Sequence, residues 1–179
     1  MDKVSIHIRT ATRNDAALLC DLGRITFIEA YAAQNSKDDM ALYLTENFTA
    51  EKISDEFNEE NGVCFIAEVN GESCGYAKLR CKESLAELHS SKHIELARIY
   101  VLEKFQQQKI GKRLLEKCIE QSHALGYEIL WLGVWKKNEK AIEFYARNGF
   151  TIFGEHVFQF GNDPQVDWMM KYNLNLSRQ

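Results

Sequence analysis

The stretch FQQQKIGKRLLEKC, Phe105 to Cys118, follows the apolar run IELARIYVL. It sets one glycine, three glutamines and three cations ahead of its first acid. A helix that starts here exposes its first backbone N–H groups, the positive end of its dipole. Such an end ordinarily carries a Ser, Thr, Asp or Asn cap and acids in the first turn. Lys109, Lys112 and Arg113 stand there instead. Cations at that end are mildly unfavourable unless something negative joins them, so the chemistry to consider is the holding of an anion such as a phosphate. The pattern GxxxxGK[ST] keeps only Gly111-Lys112, and GxGxxG keeps one glycine of three, so neither nucleotide fingerprint applies. On the residues alone, an anion seat and a polar loop capped by water both remain open.

Elements on either side must position this junction. VSIHIRTAT alternates apolar and polar residues and reads as a first strand. Asn14 or Asp15 can cap a helix that carries Leu18, Leu19, Leu22 and Ile25 on to about Tyr31. KDDMALYLTENF and EKISDEFNEEN read as two short helices. VCFIAEVN and SCGYAKLRC form a hairpin around Asn70-Gly71, and KESLAELHSSK reads as loop. HIELARIYVL is a strand whose near-continuous apolar end predicts burial on both faces. A helix from about Ile110 to Leu125 shows Leu114, Leu115, Cys118 and Ile119 on one face, and Gly126 stops it. YEILWLGVW is a buried strand, and NEKAIEFYARNG is a helix capped by Asn138. FTIFGEHVFQF and PQVDWMMKYNL are strands joined by GNDP, with the lone Pro164 placed in that turn. The β-α-β unit in the middle requires a parallel pair, and the flanking hairpins make the sheet mixed. Its ligand crevice belongs at the carboxyl ends of the paired strands, beside FQQQKIGK.

With 179 residues, 45% hydrophobic and 27% charged, the chain suits a single domain with a packed core. A net charge of −4 and the lack of a basic block argue against a nucleic-acid partner. No stretch has the length of a membrane span, and the N-terminus lacks a signal-peptide pattern. Five cysteines without CxxC spacing and five scattered histidines point to reduced thiols in a cytoplasmic protein and to no metal site.

LARIYVLEKFQQQKIGKRLL resembles the acyl-CoA-binding motif of the GNAT acetyltransferases, [Q/R]-x-x-[G/A]-x-[G/A] after the fourth strand. Gln106, Gln107, Gln108, Lys109, Ile110 and Gly111 occupy it. Lys109 departs from it, standing where that family usually has Gly or Ala. LWLGVWKKNEKAIEFYARNGF resembles the family's strand, Asn and AxxFYxxxGF segment. With TFIEAYAAQN and the closing D-W-M-M-K strand, the likeness extends to PaiA-type spermidine/spermine N-acetyltransferases from about Ile8 to Lys171.

That resemblance implies an α/β (α+β) GNAT fold over 1–179. It implies a mixed sheet of about seven strands, a splayed parallel pair and helices on both faces. It implies acetyl-CoA as cosubstrate and direct transfer to a small-molecule primary amine, of polyamine type, by a monomer or homodimer. Amides from Gln107 to Lys112 would hold the pyrophosphate. The edge Ile99, Tyr100, Val101 would pair with the pantetheine arm and supply an oxyanion donor. Asn138 would contact that arm, and Tyr145 would protonate the departing thiolate, with Phe144 left to pack. Glu95, opening ELARIYV beside the crevice, is the candidate base; a partner for Arg98 is the plainer alternative. Phe27, Tyr31, Asn35 and Trp135 are assigned to the acceptor site, with Asp38 and Asp39 following them; the aromatics can equally pack. Acetyl transfer to a protein amino group or an antibiotic, and a CoA-binding regulator without turnover, are the competing readings.

Overall fold

The computed structural model describes residues 5–81, 85–88 and 92–175. The ends of the KESLAELHSSK loop (82–84 and 89–91) and Val4 lie outside them. Seven strands form one sheet: β1 (Ile6–Thr10), β2 (Val63–Val69), β3 (Glu72–Arg80), β4 (His93–Val101), β5 (Ile129–Trp135), β6 (Thr151–Phe160) and β7 (Asp163–Asn173). They lie in the order β1-β2-β3-β4-β5-β7-β6, and β4 with β5 is the parallel pair. The helices are α1 (Ala16–Tyr31), α2 (Lys37–Asn47), α3 (Ala50–Asp55), α4 (Ile110–Ala124) and α5 (Glu139–Arg147). Among the described residues no helix is long and apolar enough to cross a membrane.

Strand alternation gives the sheet two apolar faces. On one, Phe65, Ala67 and Val69 of β2 pack with Leu114, Leu115 and Cys118 of α4 and Tyr145 of α5. On the other, Ile66 and Tyr76 meet Leu19, Leu22 and Phe27 of α1 and Met40 and Leu44 of α2. Leu114 and Leu115 are almost wholly buried, which is worth about 1.5–3 kcal/mol for each side chain.

The β2–β3 turn is Asn70-Gly71, both at positive φ (51° and 86°), the conformation a two-residue hairpin needs. The β6–β7 turn is Gly161-Asn162, so Pro164 is not in it. Pro164 is the second residue of β7 and pairs with Gln159. Beyond Asp167, β5 no longer runs beside β7, so the N–H that proline lacks has no ladder partner to lose. Asp15 stands at the start of α1, but its carboxylate turns back to the Thr12 N–H (2.8 Å) and the Arg9 guanidinium (2.8 and 2.9 Å).

Candidate active site

β4 and β5 pair over only three residues, His93–Glu95 against Ile129–Trp131. On the other side of β4, Lys78 pairs with Arg98 and Leu79 with Leu96, so Ala97 is the extra residue of a β-bulge. A bulge bends its strand and sharpens the twist, which carries Arg98–Val101 away from β5. The expectation of burial on both faces fails here for that reason: Ala97 to Val101 are half-buried along the edge that β5 has left.

At the mouth of this splay α4 begins. α2, α3 and α5 are each capped by a side chain: Ser36 accepts from Asp39 N, Thr49 from Lys52 N and Asn138 from Ala141 N. α4 has no such bond. Its cap position is Lys109, in the left-handed region (φ 61°, ψ 13°), two residues after Gln107 at φ 65°. Arg113 N donates to Lys109 O (3.1 Å), so the amides of Ile110, Gly111 and Lys112 stand ahead of the intrahelical ladder. The left-handed backbone is a physical reason for a preference for glycine at position 109. The Lys109 side chain is exposed. Arg113 is spent on structure, donating to Ile6 O at 3.1 Å, and Lys112 lies 3.8 Å from Glu116. A Cβ on Gly111 would touch only Phe144 Cζ and Val101 Cγ2, both at 3.9 Å. Protein packing therefore does not require glycine at 111, and the space above the first turn is left open. Gln106 Nε2 donates to Val101 O (3.3 Å), tying the loop to the end of β4.

Both neighbouring aromatics of α5 pack against the core. Tyr145 is the buried aromatic, packed on Phe150, while Phe144 is only partly buried and faces Gly111. The helical face that carries Ala141 and Ile142 onto the core carries Tyr145 too. Burial pushes the Tyr145 hydroxyl well above the ordinary tyrosine range, with Tyr31 and Cys118 adding to it. It therefore keeps its proton at neutral pH and can give one but not take one.

On the α1–α2 side a cavity of about 420 Å³ opens onto the splay, with Ala97 and Tyr100 of β4 and Gly133 and Trp135 of β5 in its wall. Phe27, Tyr31 and Trp135, expected at the acceptor site, come together here. Phe27 stacks on Tyr43 (4.5 Å between centroids), and Tyr31 meets Trp135 and Tyr100 edge-on, each at 6.3 Å. The Tyr31 and Tyr100 hydroxyls are 3.4 Å apart. Asn35 does not line the cavity. It buttresses the wall, donating to Tyr31 O (2.9 Å) and accepting from Gln165 Nε2 (2.6 Å). Asp38 and Asp39 are absent from the wall as well; Asp39 accepts from Asn162 N (2.7 Å).

The charges in the wall are mostly matched. Glu95 is buried and lines the cavity, but both its oxygens face Arg80 (2.6 and 3.1 Å). Its partner is thus Arg80 rather than Arg98. Arg98 forms a two-pronged pair with Glu56 (2.9 Å each). Lys78 Nζ lies 3.0 Å from the same Glu56 and from Glu59. What remains is Glu46, without an ion pair among the described residues, and Asp167, whose Oδ2 lies 4.0 Å from His156 Nε2. Burial pushes the Asp167 carboxyl up, and His156 partly offsets this. Sequence reasoning missed Asp167 and His156. The available signal was an acid inside the apolar strand QVDWMM, since charged residues seldom occupy buried strand positions.

Comparison with known proteins gives the family. Residues 27–150 match the acetyltransferase (GNAT) family. An uncharacterised N-acetyltransferase in the pepI 3′ region of Lactobacillus delbrueckii subsp. lactis is 34% identical over 169 residues, 94% of this chain and 98% of that one. The chain belongs to the GNAT acetyltransferase family and is an acyltransferase of that family. A spermidine N(1)-acetyltransferase of Thermoplasma acidophilum is 25% identical over 153 residues, 83% of this chain and 90% of that one. Among solved structures, the PaiA N-acetyltransferase of Thermoplasma acidophilum in complex with coenzyme A aligns with TM-score 0.77. It is 22% identical, over 94% of this chain and 99% of that one. The yncA structure from Salmonella typhimurium, with its cofactor acetyl-CoA, gives 0.69 at 19% identity, over 97% and 96%.

Proposed function

We propose that the protein moves the acetyl group of acetyl-CoA onto a primary amine of a cationic, polyamine-like acceptor. The observation that carries the acceptor is the cavity: aromatic walls, two matched guanidiniums and two acids, Glu46 and Asp167, with no Lys or Arg partner among the described residues, opening onto the splayed strands. Aromatic faces and carboxylates both attract an ammonium. The spermidine acetyltransferase relative and the PaiA neighbour support the same acceptor class.

The donor crevice fits an acyl-CoA. It offers uncapped amides at 110–112, open space above Gly111 and an unpaired edge on β4. Bound acetyl-CoA supplies an acyl group activated as a thioester. The amides of Ile110, Gly111 and Lys112 bind the pyrophosphate at the helix dipole, which supplies the negative charge this end lacks. The Ile99–Val101 edge binds the pantetheine amides as a strand would, and one of its N–H groups faces the carbonyl oxygen as charge develops there. Asn138 orients the arm where β5 turns into α5. Tyr145 holds a proton for the departing sulfur.

Thiol release from acetyl-CoA, followed with spermidine, spermine, a lysine peptide and an aminoglycoside, tests the reading. Release with the polyamines at the highest kcat/KM is expected. Preference for the peptide or the aminoglycoside would replace the acceptor, and no release with any amine would overturn the activity.

A further inference from the structure

An alkyl ammonium has a pKa of about 10, so at neutral pH the acceptor must lose a proton before it can attack. Neither residue assigned to proton chemistry is free to take it. Glu95 has both oxygens on Arg80, and Tyr145 already carries its proton. We propose that His156 of β6 is the general base for the acceptor amine and that Asp167 of β7 holds the ammonium beside it. This rests on the cavity being the amine site.

The geometry comes from register. His156 is paired with Asp167 across β6 and β7, and Asp167 with Trp135 across β7 and β5. Paired residues project on one face, so the three side chains form a row across the sheet that faces the cavity. The imidazole then leans diagonally over β5. A Cβ on Gly133 would lie 2.8 Å from His156 Cε1 and 3.3 Å from Asp167 Oδ2. Glycine at that position is what lets both groups approach the strand whose departure from β4 opens the crevice. The 4.0 Å between Nε2 and Oδ2 is too long for a direct hydrogen bond. It leaves room for one nitrogen to bond both atoms.

The other groups that face this point do not oppose the transfer. α1 brings Tyr31, α2 brings Tyr43 and Glu46, and β4 brings Tyr100, all neutral or negative. Arg80 of β3 and Arg98 of β4 are matched by Glu95 and Glu56. Beside His156 on β6, Glu155 pairs with Lys136. Lys137 of the loop after β5 lies over the Trp135 ring, 5.4 Å from its centroid, and Asp167 is the acid that stands beside the imidazole. In the step itself one ammonium N–H bond breaks and an Nε2–H bond forms. The electron pair stays on the amine nitrogen, which attacks the thioester carbonyl. The His156 side chain is 36% exposed, so it returns the proton to water.

The test compares two acceptors: spermidine, a cation at neutral pH, and methoxyamine, an amine already neutral there. His156→Gln should lower kcat with spermidine roughly 10²-fold, the usual size of a lost general base. Its rate should climb toward wild type at high pH, where the acceptor sheds its proton unaided. With methoxyamine the loss should be within about threefold, since no base is then needed. Gly133→Ala, which displaces the imidazole, should give the same split while CoA affinity is retained. An unchanged pH profile with spermidine, or equal losses with both acceptors, would overturn the assignment while the amine reading stands. Failure of the wild type to acetylate any amine would overturn both.

Discussion

The crevice proposed for the donor and the cavity proposed for the acceptor meet at β4 and β5 but are made of different material. The crevice is backbone: uncapped amides at the start of α4, two residues in left-handed conformation, and a strand edge freed by the bulge at Ala97. The cavity is side chains from α1, α2, β3, β4, β5, β6 and β7. A backbone site tolerates many side chains but not a blocked approach. A side-chain site tolerates small changes of shape but not the loss of a charge. One half can therefore serve a fixed donor while the other is altered for different acceptors.

Substitutions should separate the halves. Gly111→Val puts two methyl groups into the open space over the first turn, where the protein itself offers only distant contacts. CoA affinity, measured by calorimetry, should fall roughly 10²-fold or more, about 2.7 kcal/mol, with the melting temperature nearly unchanged. Unaltered affinity would mean that the pyrophosphate does not pass over Gly111. Tyr145→Phe, by contrast, should leave CoA affinity within about twofold and lower kcat by roughly 10-fold to 10²-fold, at the lower end for a general acid. An equal loss of affinity and turnover would make Tyr145 a packing residue, in line with its place in the core.

Asp167→Asn probes the cavity half, with an expected rise in KM for a cationic acceptor of roughly tenfold, about 1.4 kcal/mol. It also has a stability signature. Burial raises the Asp167 carboxyl above its ordinary value of 3.8, so the folded chain binds this proton more tightly than the unfolded chain does. Its contribution to stability is thus greatest below 3.8 and declines as pH rises through the raised value. Urea midpoints from pH 3 to 7 should fall for wild type relative to Asp167→Asn over that window, then run parallel. A saturating polyamine should reverse the trend, because its ammonium stabilises the carboxylate. Parallel midpoints throughout would show that Asp167 is hydrated in solution.

The same contrast explains what could be read in the sequence. The crevice is nearly contiguous, so FQQQKIGK after an apolar strand and NEKAIEFY after another point to it once their resemblance to the family's motifs is added. Strand and helix periodicities likewise yield the seven strands, the five helices and the parallel pair. The bulge at Ala97 is illegible because it depends on which residues of β3 pair with β4, and no residue type in LARIYV announces it. His156 and Asp167 lie on two different strands and belong to no motif, but their pairing is implicit in the hairpin. Pairs symmetric about Gly161-Asn162 bring 156 opposite 167. Placing the turn around Pro164 hid that register. The partners of Glu95 and Arg98 were hidden as well, since each is matched to an acid or base brought from another element.

The smallest effect concerns Lys109, the departure from the family pattern at the crevice. A side chain in left-handed backbone costs about 1–2 kcal/mol, whereas glycine there costs about 0.5–1 kcal/mol in unfolded-chain entropy. Lys109→Gly should therefore stabilise the protein by about 0.5 kcal/mol, or ~1–2 °C in melting temperature for a chain of this size. The lost lysine is exposed, and its attraction for a phosphate is screened within about 10 Å at 0.1 M salt. CoA affinity should weaken by less than about threefold at low salt and converge on wild type as salt rises. A large loss that persists in high salt would mean that the ammonium itself binds the phosphates, and the backbone account of the crevice would then have to share its role with a side chain.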